Sequence, residues 1–167
     1  MLKNTIAIAY DFDGTLAPGN MQENAFIPDL NMSIPDFWNE ANKIARENDM
    51  DEVLAYMFLM LQKAKEMSIP VKKTAFWEYG SRIRFYRGVE TFFDRINQYA
   101  ASKGFQVEHY IISSGNREFV EGSRIANYFT DIFASGFMYD QVGVSFWLPF
   151  ALIYTKNTMF FFSKNTE

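Results

Sequence analysis

The sequence predicts an α/β fold built on a parallel sheet, and three observations carry that prediction. Residues 5–10 (Thr5-Ile6-Ala7-Ile8-Ala9-Tyr10) form an apolar, β-leaning run that ends abruptly in Asp11-Phe12-Asp13-Gly14-Thr15-Leu16. Residues 107–112 form a second apolar run, ending in Ser113-Ser114-Gly115-Asn116. Before it lies a helical stripe, Val89, Phe92, Phe93, Ile96 and Tyr99, with Gly104 just past its end. A strand, helix, strand succession of this length joins parallel strands by a crossover.

The first strand's end concentrates the chemistry. Open α/β sheets place their ligands at the carboxyl ends of strands, and there this chain sets two carboxylates one residue apart. Asp11 and Asp13 repel each other unless a cation or a proton lies between them. Mg²⁺ suits such a place because it prefers oxygen ligands and keeps several waters. An ordinary strand followed by an Asp-Gly turn accounts for the same residues without chemistry. At the second strand's end, a hydroxyl followed by Gly and a helix can hold a phosphate oxygen, with helix N–H groups adding to it. Turn and cap chemistry explains that motif equally well when it stands alone.

Asp11-Phe12-Asp13-Gly14-Thr15-Leu16, after its apolar strand, resembles the first motif of the haloacid dehalogenase (HAD) superfamily. The Ser113 motif, about a hundred residues later, resembles the second. The resemblance implies a HAD-like Rossmannoid parallel sheet core with a small helical cap insertion. It implies that Asp11 is the nucleophile that forms an aspartyl-phosphate and Asp13 the acid/base. Mg²⁺ would be held by Asp11 and by the backbone carbonyl of Asp13. Ser113, with Ser114 as the alternative, would hold the phosphate, and Gly14, Thr15, Ser114 and Gly115 would line the substrate site. Residues 1–19 and 86–167 would form the core and 20–85 the cap, unless those helices simply cover the sheet.

Taken in order, residues 17–34 read as a loop, rich in Pro, Gly and Asn. Ser33 or Pro35 begins a helix that carries Phe37, Trp38, Ala41, Ile44 and Ala45 to about Arg46. Asp51 begins a second, with Val53, Leu54, Met57, Phe58, Leu61 and Ala64 on one side, ended by Ser68-Ile69-Pro70. A third spans about 72–85. Beyond the second motif come a helix over 117–128 and a short strand over 132–135. A hairpin over 137–147 follows, turning at Asp140-Gln141-Val142-Gly143. The lone His109 alternates along a strand and reads as structural, and Asp131 and Asp140 read as cap or turn residues.

Two further motifs of the family are harder to place. Lys156 is the best candidate for the lysine that neutralises the phosphate, with a solvated helix-start lysine as the plain alternative. No acidic pair follows on a later strand, so the resemblance is to a HAD core ending before its fourth motif. Two functions therefore stand: a Mg²⁺-dependent phosphohydrolase acting on a small phosphorylated metabolite, or a catalytically inactive HAD-like domain that binds a ligand or partner.

Composition sets the outer bounds. The 167 residues amount to one modest domain, half of them apolar, with 18 Phe to build a core. The net charge of −4 gives no reason to expect nucleic acid. The absence of Cys excludes disulfides, thiolate metal sites and a Cys nucleophile. No apolar stretch spans a bilayer and no signal-peptide pattern opens the chain, so a cytoplasmic location is expected. The first strand reads as covered on both faces. Strands on one side only would leave its other edge open, so self-association there is expected, or coverage by a helix formed by residues 154–162.

Overall fold

The computed structural model describes residues 4–143 and 145–150, the last six as backbone. Three strands run parallel, β1 (Asn4–Tyr10), β2 (Phe105–Asn116) and β3 (Phe129–Tyr139), and β4 (Ser145–Phe150) runs antiparallel beside β3. The order across the sheet is β1-β2-β3-β4. The turn between β3 and β4 falls at Asp140–Gly143, as the hairpin pattern predicts, with Asp140 Oδ1 accepting from Val142 N at 3.0 Å. The expectations for Lys156 and for residues 154–162 lie outside the described residues.

Helix boundaries follow local chemistry. Ser33 caps α2 (Ile34–Glu47), its hydroxyl accepting from Asp36 N. Asp51 caps α3 (Glu52–Glu66) by accepting from Val53 N and Leu54 N. Such caps satisfy backbone donors that the first turn leaves free, each contributing about 1 kcal/mol. The third helix, α4 (Lys73–Ser81), stops four residues short of the expected 85. α5 (Val89–Ser102) matches its stripe, with Gly104 at φ 81° just past its end.

Several expectations are corrected. Residues 17–34 are not a plain loop. They contain a 3₁₀ turn (Met21–Asn24) and a single α-turn, α1 (Phe26–Asp29), which bury Met21, Phe26 and Ile27. Pro and Gly mark the turns of such a segment, but its apolar residues pull it into the core. The helix expected over 117–128 is α6 (Arg117–Glu121), then a separate 3₁₀ turn (Ala126–Tyr128). Asp131 lies within β3 rather than at a turn.

The largest correction concerns β1. Most of its side chains are exposed, Ile6 at 43%. The sheet is closed by α5 on one face, where His109 and Tyr10 meet Phe93. On the other face Tyr110 and Ile112 are only half-buried, and Phe133 is exposed. Small side chains at Ala7 and Ala9 give a covering helix little to grip, so an apolar composition did not become a buried strand. Among the described residues β1 pairs along one edge only.

The phenylalanines build two ring clusters. One joins Tyr10, Phe92, Phe93, Tyr128 and Phe129 around His109. His109 is structural, as expected: its ring nitrogens lie 2.9 Å from Tyr10 Oη and 2.9 Å from Asn97 Oδ1. The other cluster joins Phe26, Phe76, Tyr79, Phe119 and Phe137. It is held together where α4 and α6 touch through glycine. A Cβ on Gly80 would fall on the Phe119 carbonyl, and one on Gly122 on the backbone of Trp77.

Backbone atoms cannot step aside as side-chain ends do. Gly80→Ala or Gly122→Ala is therefore expected to destabilise the fold by about 1–3 kcal/mol, the usual cost of overpacking. Urea unfolding measures this, and an unchanged midpoint in both variants would contradict the contact.

Candidate active site

The site is organised by the turn after β1. Phe12 is fully buried and meets Phe85, ring centroids 6.0 Å apart. Its carbonyl accepts from Leu16 N (2.9 Å) and Ala17 N (3.1 Å), winding the chain into a tight loop. Gly14, at φ 74°, takes the left-handed conformation that closes it, its N–H donating to Ala17 O at 2.7 Å. With Phe12 pointing into the core, the positions of the two flanking carboxylates are fixed by the same turn.

The two acids then differ. Asp11 is exposed, accepting from its neighbour Phe12 N (2.8 Å) and from the Thr15 hydroxyl (3.3 Å). Asp13 is turned inward. Its Oδ1 accepts from Met21 N at 2.9 Å, and its Oδ2 lies against Gly115, where a Cβ would stand 3.0 Å away. Gly115 thus stands close to both groups, and a Cβ there would press on the ends of the Asp13 and Met21 side chains. Burial pushes the Asp13 carboxyl up to about 7, with the charges of Asp11 and Glu23 adding to it and the Met21 bond opposing.

The loop after β2 completes the floor. Ser113 is buried, its hydroxyl accepting from Gly115 N at 3.0 Å, so its O–H remains free to donate. Ser114 and Gly115, rather than Ser113, reach the cavity wall. Gly14 and Thr15 are exposed and lie outside that wall. α6 has only five residues, too few for the helix-terminus contribution expected of it.

The cavity holds about 190 Å³ and is roofed by α2 and α3. Tyr56 of α3 is the tie: it is buried and donates its hydroxyl to Ser114 O at 2.8 Å. Its phenol is held well above the usual value by burial first, then by the charges of Asp13, Glu118 and Asp51. Trp38 of α2 donates to Glu23 Oε1 at 2.8 Å, and the rings of Trp38 and Tyr56 meet edge to face. Gln22 donates to Asn116 Oδ1 at 2.7 Å, joining the two loops. Sequence reasoning missed Gln22, Glu23, Glu52 and Tyr56. Of these only Tyr56 carried a signal, standing one helical turn after Val53.

A metal would find limited ligation here. Among the described residues no three His, Cys, Asp or Glu side chains gather as a metal site. Asp11 and the Asp13 carbonyl offer hard oxygen donors on one turn, which fits a cation that keeps most of its waters.

No protein-family model matches the chain. An uncharacterized protein of Borreliella burgdorferi is 31% identical over 146 residues, covering 81% of this chain and 51% of that protein. The chain therefore spans about half the length of the curated relative it matches. A HAD-family hydrolase of Salmonella enterica serovar Typhi superposes with a TM-score of 0.56 at 20% identity, covering 86% of this chain and 44% of the hydrolase. A phosphoserine phosphatase, solved as a phospho-aspartyl intermediate analogue, superposes at 0.51 with 14% identity, covering 86% and 62% respectively. The chain has the HAD-like fold. No helix among its described residues is long and apolar enough to cross a membrane.

Two outcomes follow from this geometry. The folded Asp13 carboxyl keeps its proton to about pH 7, whereas an unfolded Asp loses it near about pH 4. The stability linked to that proton is full below the unfolded value and is lost as pH rises through the folded one. In chelator-containing buffer, Asp13→Asn should raise the melting temperature over the native chain at about pH 8 and do so by clearly less at about pH 5. An equal offset at both would contradict the buried, protonated carboxyl. For metal, calorimetry should find Mg²⁺ binding no tighter than roughly millimolar, weakened further in Asp11→Asn. Micromolar binding that survives Asp11→Asn would place the metal elsewhere.

Proposed function

We propose that this chain is a phosphohydrolase of the HAD type, cleaving a small phosphate monoester through an aspartyl-phosphate. The observation that carries the reading is the unequal pair on one turn: an exposed Asp11, and an inward Asp13 whose carboxyl is pushed up to about 7. A nucleophile must be accessible and ionised, whereas a general acid must hold a proton near neutral pH. Two carboxyls with diverging environments divide those roles between them.

In the proposed reaction an Asp11 oxygen attacks phosphorus in line and the ester P–O bond breaks. The proton on Asp13 passes to the departing alkoxide oxygen. Asp13, now ionised, takes a proton from the water that attacks the aspartyl-phosphate, releasing inorganic phosphate and restoring Asp11. The Ser114–Gly115 segment would hold the non-bridging oxygens, braced from behind by the Ser113 hydroxyl, a matter of positioning and charge. Mg²⁺, held by Asp11 and the Asp13 carbonyl, would offset the phosphate's charge. Lys156, outside the described residues, is proposed to assist in that neutralisation.

A second reading has one observation in its favour. The described residues hold no third acid for the metal, as suits a HAD-like domain that binds without turnover. The two readings part on one assay. With Mg²⁺, slow hydrolysis of p-nitrophenyl phosphate is expected. It should vanish in Asp11→Asn and fall by about 10²–10⁴-fold in Asp13→Asn, the usual worth of a general acid. Full activity in Asp11→Asn would overturn the nucleophile assignment, and silence of the native chain would favour the binding domain.

A further inference from the structure

The cavity beside Asp13 has a character that phosphate chemistry does not require. Its far wall holds Glu52, at the first turn of α3, with the rings of Trp38 and Tyr56 nearby. Glu52 is exposed and has no ion pair among the described residues. No Lys, Arg or His stands among the described residues that line the cavity. The polar tips of both rings are already engaged, Trp38 Nε1 on Glu23 and Tyr56 Oη on Ser114 O. What the rings offer a ligand is therefore carbon and π-density, which attracts cations.

A carboxylate and two ring systems, with no basic side chain among the described lining residues, together describe a place for a positive group.

Size and charge narrow the class. At about 190 Å³ the cavity is smaller than the roughly 300–1,000 Å³ of sites for drug-sized ligands, which suits a small substrate. A carboxylate on the substrate would meet the charge of Glu52 with no basic partner among the described lining residues. That disfavours a phosphorylated amino acid and leaves a phosphorylated amino alcohol.

We propose that this cavity recognises an ammonium group, so that the substrate is the phosphate monoester of a small amino alcohol, with its cation between Glu52 and the rings of Trp38 and Tyr56. This deepens the phosphohydrolase reading and rests on it for turnover, though not for binding. Hydrolysis would break the ester P–O bond and leave the amino alcohol and inorganic phosphate, water supplying the hydroxyl and the proton.

The test compares two near-isosteric ligands, 2-aminoethyl phosphate and 2-hydroxyethyl phosphate, by calorimetry on the full chain with Mg²⁺. The amine is expected to bind at least about tenfold more tightly, a difference of one charge-assisted contact. The ratio should fall below about threefold in Glu52→Gln, whose exposed position spares the fold, and should also fall in Trp38→Leu. Equal affinity of the two ligands, absence of binding by both, or a ratio that survives Glu52→Gln would overturn the proposal. Hydrolysis is read separately with p-nitrophenyl phosphate. A standing amine preference without turnover would overturn the phosphohydrolase reading and leave the ammonium pocket in place.

Discussion

The burial of Phe12 is the constraint on which the rest of the site depends. One aromatic ring, locked into the core between two acids, decides where both carboxylates go. Its carbonyl, gathering several N–H donors, fixes the loop that follows. Neither acid could be moved without moving the ring, and the ring cannot move without opening a large cavity. The candidate chemistry is thereby attached to the most rigid part of the molecule, as a preorganised site requires.

From that fixed point a network of non-local contacts spreads. Asp13 is held by Met21 N from the segment after the turn and faced by Gly115 from the loop after β2. Gln22 and Asn116 join the same two segments, and Tyr56 brings the helical roof onto Ser114. Each contact removes water from Asp13. The raised carboxyl is therefore a consequence of assembly, arising from burial more than from any single neighbour. The same assembly concentrates acids and rings around a small cavity, which is why its preference for a cation comes with the fold rather than from a dedicated motif.

The aromatic content has a structural reason as well. Glycines at the α4–α6 contact let two backbones meet, and rings of Phe76, Tyr79 and Phe119 fill the surrounding space. This couples the helices between β1 and α5 to the helix that follows the second loop. The open face of the sheet, with Phe133 exposed, contrasts with that density. The proposed self-association would act instead at the edge of β1 that no strand among the described residues pairs.

What the sequence determined alone were features set within a few residues of chain. The capped starts of α2 and α3, the Asp140–Gly143 hairpin and the turn at Gly14 depend on bonds between neighbours in sequence, and their residue types announce them. The parallel order of β1 and β2 was legible too, because a crossover helix of that length permits little else. Only tertiary structure decided that β1 stays exposed, that α6 stops after five residues, and that Ser114 rather than Ser113 meets the cavity. It alone brought Gln22, Trp38, Glu52 and Tyr56 to Asp13. These outcomes depend on which distant surfaces meet, and a hydrophobic pattern states that a residue can be buried without stating against what.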